Sequence, residues 1–152
     1  MQLDATDRRI LRVLQRDGRI SNADLAEQVA LSPSACHRRV HRLESDGFIA
    51  GYVAILDPRK LGKPTTVYVE IKLSSQSDEV LEAFEKGVAR IPDVLECHLM
   101  AGSADYLLKL IVEHTEDFAR IHRQYLARLP GVAQMQSSFA LRTVVKTTAL
   151  DL

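Results

Sequence analysis

The stretch LSPSACHRRVHRLESDG, residues 31–47, decides the fold of the N-terminal half of the chain. Ser32 is a favourable N-cap, and Pro33 has the fixed φ and the missing N–H that suit the first position of a helix. Gly47 offers a residue that adopts the left-handed conformation at a helix end without steric cost. Between these boundaries apolar residues recur at helical spacing, at Cys36, Val40 and Leu43. The pattern predicts a helix from Ser32 to Asp46 that packs against a core through one side only.

The opposite side of this predicted helix is basic. Between Pro33 and Leu43 it carries no acid, and its basic or titratable residues are His37, Arg38, Arg39, His41 and Arg42. Such a run of charge is usually a solvated helix face, and that alternative stands as long as the helix is considered alone.

Two short helices precede this one and change that balance. Apolar residues at helical spacing define them, with Ile10, Leu11 and Leu14 in the first and Leu25 and Val29 in the second. Asp4 and Ser21 supply their N-caps, and Gly18 is predicted to end the first helix in the left-handed conformation. Only residues 30–32 separate the second helix from the third. This spacing predicts a helix-turn-helix, which favours DNA as the partner of the basic side.

In a helix-turn-helix the last helix enters the major groove with its N-terminal turns nearest to the base edges. The backbone N–H groups at the same end can hold a phosphate. We therefore expect base contacts from Ser34, Ala35 and Arg38 and phosphate contacts from Ser32, Arg39, His41 and Arg42. Double-stranded DNA is the predicted partner.

The sequence after Gly47 changes to FIAGYVAIL, residues 48–56, which suits a short extended ribbon beside the helices. Asp57-Pro58 then marks a turn. The first module is accordingly predicted to be a winged helix-turn-helix domain over residues 1–57, followed by a linker over residues 58–64.

From Thr65 onward strands and helices alternate. A strand with apolar residues at every second position leads to a helix within residues 80–91, two strands at 94–101 and 105–113, a helix opened by Thr115, and a last strand from Val132 to about Lys146. An internal echo, ARIPDV at 89–94 and ARLPGV at 127–132, places a proline where each helix gives way to a strand. The order βαββαβ predicts a ferredoxin-like domain over residues 65–152, and an α+β class for the chain as a whole.

The composition argues against several other classes of protein. The 152 residues are 46% hydrophobic and 26% charged, with no net charge, as in a soluble globular protein. The longest apolar stretch, around residues 106–112, is interrupted by Lys109 and is too short to span a membrane, and no signal pattern opens the chain. Cys36 and Cys97 form no C-x-x-C pair, which argues against a disulfide framework or a zinc ribbon. We expect a cytoplasmic, nucleoid-associated protein with no membrane partner.

No catalytic motif stands out in the sequence. It contains neither a P-loop nor G-x-S-x-G, and Gly102-Ser103-Ala104 leads into a strand where a phosphate cradle would need a helix. Cys97, His98, His114 and His122 fit no standard metal-ligand spacing. We expect no enzyme activity, no metal and no cofactor.

These segments together resemble the Lrp/AsnC (leucine-responsive / asparagine-regulatory) family of transcriptional regulators over nearly the whole chain. The resemblance is carried by Leu3-Asp4, Asp7 to Leu11, Gly18-Arg19, Leu31 to Cys36, Arg39-Val40, Leu43-Glu44, Gly47 to Ile49, Gly102 to Tyr106 and Thr147 to Leu150. It implies a transcriptional regulator whose C-terminal domain senses an effector and oligomerises. Homodimers with facing sheets, octameric rings built from them, and a small amino acid as effector ligand are the implied partners.

The resemblance also implies where the effector binds. The site lies between dimers, at the turn formed by Gly102, Ser103, Ala104, Asp105 and Tyr106, facing Gln136, Ser137 and Ser138 of the last strand. Turn N–H groups can hold a ligand carboxylate, and Asp105 can accept from its ammonium group. The alternative is that Gly102 supplies a positive φ and Asp105 anchors the turn. Ser103 departs from the acid that many family members carry there, which puts the choice of ligand in question.

A nucleoid-organising protein that wraps DNA without a metabolite effector is the alternative function. An oligomer of winged modules can bend a long DNA segment. Both interpretations use the same DNA-binding helix, and they differ only over the effector.

Overall fold

The computed structural model describes residues 2–152, which divide into two compact units. The N-terminal unit is the chain up to Ile55 together with Val144–Leu152, and the C-terminal unit is Leu56–Thr143. The helices are α1 (Ala5–Leu14), α2 (Asn22–Gln28), α3 (Pro33–Ser45), α4 (Asp78–Val88) and α5 (Thr115–Gln124). The strands are β1 (Thr65–Leu73), β2 (Val94–Leu99), β3 (Tyr106–Val112) and β4 (Val132–Phe139). None of the helices within residues 2–152 is long and apolar enough to cross a membrane.

The core of the N-terminal unit is built from the apolar sides of α1, α2 and α3. Its buried members are Ile10, Leu11, Leu25, Ala26, Val29, Cys36 and Leu43, and Leu14 and Val40 pack against them while half-buried. The helical spacing in the sequence therefore identified the core correctly. Between α2 and α3 the chain turns through Ala30, which has a φ of 56°, and the Leu31 N–H donates to the Ala26 carbonyl at 2.9 Å. These features confirm the predicted helix-turn-helix.

The two helix-ending glycines behave differently. Gly47 has a φ of 78°, and the N–H groups of Phe48 and Ile49 donate to the Leu43 carbonyl at 2.9 and 3.2 Å, which closes α3 as predicted. The prediction for Gly18 is wrong, because α1 ends at Leu14 and Gly18 is not among the residues with positive φ. Gly18 instead makes room for Tyr52, since a Cβ atom there would lie 3.3 Å from the Tyr52 ring.

The predicted ribbon over residues 48–56 does not pair into a sheet with any other strand of residues 2–152. Its apolar side chains Val53, Ile55 and Leu56 are exposed. The segment that we predicted as a linker, residues 58–64, forms a compact turn in the C-terminal unit, where the Lys63 N–H donates to the Pro58 carbonyl at 2.8 Å.

The C-terminal unit is a four-stranded antiparallel sheet in the order β2-β3-β1-β4, with the βαββαβ connectivity that was predicted. Side chains at every second position of β1 and β3 are buried against α4 and α5, and the alternate positions form the uncovered face of the sheet. Phe84 of α4 and Ile121 of α5 are fully buried in this core. The echo found in the sequence falls at α4–β2 and before β4, as predicted.

Glycine is required at the second copy of that echo. Gly131 has a φ of 73°, and a Cβ atom at this position would lie 2.7 Å from Cγ1 of Val80. Its carbonyl accepts from the Ser74 N–H at 2.8 Å, which ties the start of β4 to the end of β1.

The end of the chain differs from the prediction. β4 stops at Phe139 and does not continue to Lys146, and Val144–Leu152 belong to the N-terminal unit. The Gln15 side chain makes two hydrogen bonds with the backbone of Leu150. Its Nε2 donates to the Leu150 carbonyl at 3.0 Å, and its Oε1 accepts from the Leu150 N–H at 2.6 Å. Arg12 donates to the Leu152 carbonyl, and the Leu152 side chain packs on the helical core. These contacts join residues 144–152 to α1, whereas we predicted these residues as part of the C-terminal domain over 65–152.

Replacing Leu152 by alanine is expected to destabilise the N-terminal unit by about 1 kcal/mol, because a half-buried leucine loses part of its apolar burial. The matched control is Leu150→Ala, whose side chain is 74% exposed and whose backbone bonds to Gln15 are retained. Native-state hydrogen exchange of the α1 amides measures the effect within the full chain. Equal protection of α1 in both variants would show that Leu152 contributes nothing to this unit.

Candidate DNA interface and effector turn

The helix predicted to contact DNA is presented with its apolar side inward. Cys36 and Leu43 of α3 are fully buried, whereas Ser34, Arg38, His41 and Arg42 are exposed. Ala35 is half-buried beside them. The structure thus places the proposed base-reading residues together on the accessible side of α3, near its N-terminus.

The first turn of α3 keeps one backbone donor available. Ser32 caps the helix, with its Oγ accepting from the Ala35 N–H at 3.3 Å and its carbonyl accepting from the Cys36 N–H at 2.9 Å. Pro33 has no N–H. Within residues 2–152, the Ser34 N–H is therefore the first-turn donor of α3 that has no protein acceptor.

The first turn of α3 also lacks acids, in contrast to the other four α-helices described within residues 2–152. Asp7, Asp24, Asp78 with Glu79, and Glu116 with Asp117 occupy the first turns of α1, α2, α4 and α5. An acid there stabilises a helix through the helix dipole. Its absence from α3 leaves the positive end of the dipole open to an external anion such as a phosphate.

The basic side chains of α3 fall into two groups. Arg39 and Arg42 reach back to α1, where their Nη atoms lie 2.8 Å from Oδ1 of the buried Asp7. Arg39 also binds Asp4 at 2.7 Å. Arg38 forms the second group, since it makes no ion pair within residues 2–152. The phosphate contacts predicted for Arg39 and Arg42 stay predictions. Both side chains have partners inside the domain that were not predicted from the sequence.

The pairing of Arg39 with the acids at the start of α1 shifts the pKa values of Asp4 and Arg39. The backbone N–H of Asp7 and then the Arg39 guanidinium lower the pKa of Asp4 to about 2. Asp4 and Asp7 in turn raise the pKa of Arg39. Asp4 and Asp7 also form a reciprocal capping box at the start of α1, with the Asp7 N–H donating to Asp4 at 2.7 Å and the Asp4 N–H donating to Asp7 at 3.2 Å. The D-x-x-D spacing signals the capping box in the sequence, but not the link to α3.

Tyr52 makes another contact with α3 that was not predicted from the sequence. Its hydroxyl donates to Oε1 of Glu44 at 3.0 Å, which connects the extended segment after α3 back to that helix. Burial, and then the Glu44 carboxylate, raise the pKa of Tyr52 to about 12.

The predicted effector turn lines a shallow cleft of about 200 Å³ on the uncovered face of the sheet. Ser103 and Ala104 form one wall, and Gln136 lies across from them. The other lining residues, which sequence reasoning missed, are Glu70, Ile71, Lys72 and Gln134. Gly102 is exposed next to this wall and does not have the positive φ suggested for it.

Asp105 is a buried anchor of the turn. Its side chain is buried, and it accepts from the Leu73 N–H at 2.7 Å and from Nε2 of Gln76 at 2.7 Å. Its own N–H donates to the Ile71 carbonyl at 2.9 Å. With both carboxylate oxygens occupied, the geometry favours the anchoring role that we raised as the alternative to ammonium binding.

The remaining predicted effector residues lie on opposite faces of the sheet. Ser138 pairs with Tyr68 and Gln136 with Glu70, so both lie on the uncovered face. Ser137 pairs with Val69 and faces the helices. Tyr106 also faces the helices, where it is 1% exposed and donates to Oε1 of Glu85 at 2.7 Å. Of the predicted effector residues, Ser103, Ala104 and Gln136 therefore line the cleft, whereas Tyr106 and Ser137 lie on the other face of the sheet.

A separate cavity of about 490 Å³ lies on the helix-covered side, where Tyr106, Glu85 and Cys97 are among its lining residues. Burial and the Glu85 carboxylate raise the pKa of Cys97 to about 11, which leaves a neutral thiol at physiological pH. No group of three His, Cys, Asp or Glu side chains suited to a metal ion occurs within residues 2–152.

Comparison with known proteins matches two models of domain families to this chain. Residues 3–50 match a winged helix-turn-helix DNA-binding model, and residues 66–150 match an Lrp/AsnC ligand binding domain model. The leucine-responsive regulatory proteins of Klebsiella pneumoniae and Escherichia coli K12 are each 42% identical over 148 residues, covering 97% of this chain and 90% of theirs.

Two solved structures are also similar to this chain over nearly its whole length. A transcriptional regulator from Neisseria meningitidis, determined as its complex with L-Met, superposes with a TM-score of 0.94 at 36% identity, covering 99% of this chain and 97% of that one. An AsnC family transcriptional regulator from Agrobacterium tumefaciens gives 0.93 at 38% identity, covering 98% and 97%.

Proposed function

This chain belongs to the Lrp/AsnC family of DNA-binding transcriptional regulators, and we propose that it contacts duplex DNA through the first turn and exposed side of α3, under the control of a small amino acid bound at the sheet cleft. The acid-free, exposed first turn of α3 carries the proposal. No catalytic or metal-binding role is part of it, and the protein would act where its DNA is, in the cytoplasm.

The DNA contact is supported by how α3 is presented. The Ser34 N–H and the helix dipole suit a phosphate, and Arg38 in the next turn makes no ion pair with any residue of 2–152. A guanidinium in the major groove can donate two hydrogen bonds to a guanine edge. Ser34, Ala35 and Arg38 are therefore the proposed base-reading set.

The effector site is supported by the chemistry of the cleft. Lys72 and Glu70 line it together with the amide side chains of Gln134 and Gln136. An amino acid carries one carboxylate and one ammonium group, which these side chains can complement as a cation, an anion and neutral donors and acceptors. L-Met bound to the Neisseria regulator is consistent with a ligand of this class.

A homodimer formed through the uncovered face of the sheet, and a larger ring of such dimers, complete the proposal. Tyr68 is 39% exposed on this face, and Leu107 and Ile111 are half-buried beside it. A second copy would cover these side chains. The alternative of an effector-independent DNA-wrapping protein is not favoured, because residues 66–150 match a ligand-binding domain.

Titration with each of the twenty amino acids, L-methionine and L-leucine first, tests the effector role in the full chain. A ligand at about 100 times its Kd stabilises the folded state by about 2.7 kcal/mol, so at least one amino acid should raise the melting temperature by several degrees and change DNA affinity. Lys72→Met is expected to abolish this response.

The matched control is Lys86→Met, which removes the same charge from an exposed position of α4 outside the cleft. Its response should equal that of the wild type. Should none of the twenty amino acids alter either stability or DNA affinity, the effector part of the proposal is wrong while the DNA part stands.

A further inference from the structure

The carboxylate of Asp7 is the most heavily engaged acid in the N-terminal unit. Its side chain is 1% exposed. Oδ1 accepts from Arg39 and Arg42, each at 2.8 Å, and Oδ2 accepts from Arg42 at 2.9 Å and from the Asp4 N–H at 3.2 Å. A buried carboxylate whose two oxygens each accept two hydrogen bonds is held in one position, and it fixes the positions of the groups that donate to it.

The two arginine donors both belong to α3. Arg39 and Arg42 are three residues apart and so lie on the same side of that helix, one turn from each other. Apolar packing of Cys36 and Leu43 against the core keeps α3 in place but is non-directional. The hydrogen bonds to Asp7 are directional, and they define the rotation of α3 about its own axis and its tilt against α1.

Resting on the proposed role of α3 in DNA binding, we propose that Asp7 is a positioning residue for sequence recognition. It fixes α3 through Arg39 and Arg42, and this fixes the angle at which Ser34, Ala35 and Arg38 meet the bases. In this arrangement Arg39 and Arg42 serve the protein framework, and Arg38 is the arginine that is available to DNA.

Geometry of this kind affects discrimination between sites more than affinity for DNA in general. Base-edge hydrogen bonds require a defined approach, whereas phosphate attraction tolerates a small rotation of the helix. Loosening the Asp7 anchor should therefore reduce the preference for a specific site and preserve non-specific binding. The freed guanidinium groups would also become available to phosphates.

The test uses a duplex selected from a random library by the full-length protein, and the same duplex with the selected positions exchanged. For Asp7→Asn the ratio of the two affinities is expected to fall at least about tenfold, as a misplaced bidentate contact would cost. The slope of log affinity against log salt should stay equal or steepen by about one to two phosphate contacts. Arg38→Ala gives the loss expected when the base-reading side chain itself is absent.

Asp24→Asn is the matched control. Asp24 also sits in the first turn of a helix, where it interacts with its N-cap Ser21, but within residues 2–152 it makes no hydrogen bond or ion pair with α3. Its affinity ratio should stay within about twofold of the wild type. Thermal unfolding of each variant shows that binding is measured on folded protein.

Arg42→Lys covers the case in which Asp7→Asn does not fold. Lysine keeps the charge that a phosphate needs, but its shorter side chain lacks the planar guanidinium whose Nη2 contacts both Asp7 oxygens, so the ratio should fall while the salt slope is retained. A wild-type ratio in the folded Asp7→Asn protein, or in Arg42→Lys, overturns the positioning role. Wild-type protein that binds both duplexes equally, or neither, overturns the proposed DNA function itself.

Discussion

Replacement of Asp105 by alanine is expected to lower the free energy of unfolding of the C-terminal unit by about 3 kcal/mol, as two hydrogen bonds to a charged acceptor are worth. The Leu73 N–H and the Gln76 amide would both lose their acceptor, and the former would be left unsatisfied at the end of a buried strand. The turn that carries Ser103 and Ala104 would lose its connection to β1.

Urea unfolding followed by tyrosine fluorescence suits this measurement. Three of the four tyrosines, Tyr68, Tyr106 and Tyr125, lie in the C-terminal unit, and the chain contains no tryptophan. Ser103→Ala, two positions earlier in the same exposed turn, is the control and should change the unfolding free energy by less than about 0.5 kcal/mol.

The same variant separates the two roles considered for Asp105. As an anchor it should give a large loss of stability, with the amino-acid response weakened as a consequence. If Asp105 instead received a ligand ammonium group, Asp105→Ala would remove the response at nearly unchanged stability. A loss below about 1 kcal/mol would contradict the anchoring role.

Local patterns in the sequence predicted the elements and the sides they bury. Helical spacing placed Cys36 and Leu43 in the core, and capping preferences placed the start of α3 at Ser32. These predictions succeeded because capping and amphipathic packing depend on residues within one or two turns of each other. Period-two alternation worked for β1 for the same reason.

The contacts that define the candidate sites were less accessible to this reasoning. Arg42 and Asp7 are far apart in the chain, so their pairing depends on how α1 and α3 pack. Whether Ser137 or Gln136 faces the cleft depends on the register of β4 against β1, and a shift of one residue exchanges the two faces.

Failures at the glycines and at the chain end have a similar origin. A glycine signals freedom to adopt a positive φ, but Gly18 serves a close approach to Tyr52 instead. The segment after Phe139 has a strand-like composition in Val144 and Val145, yet its next residues pack on the helical unit through Gln15. Neither outcome can be derived without the neighbouring surface.

The proposed contact of the α3 first turn with DNA predicts a large loss of DNA affinity for Ser34→Glu. A carboxylate at this exposed position would face the phosphates and occupy the open end of the helix dipole, so affinity for duplex DNA should fall at least about 100-fold. The same charge should stabilise the helix by about 0.3–1 kcal/mol, because α3 lacks an acid in its first turn. Loss of binding would therefore not be explained by unfolding.

Ala5→Glu provides the comparison, since it adds the same charge to an exposed first-turn position of α1 in the same unit. Fluorescence anisotropy titration of the selected duplex with the wild type and both variants, at one salt concentration, measures all three affinities. We expect Ser34→Glu to lose binding with an undiminished melting temperature, while Ala5→Glu binds within about threefold of the wild type, because its charge is exposed to solvent, screened by salt and outside α3. Binding by folded Ser34→Glu that is as tight as that of the wild type would contradict the assignment of α3 as the DNA-binding helix.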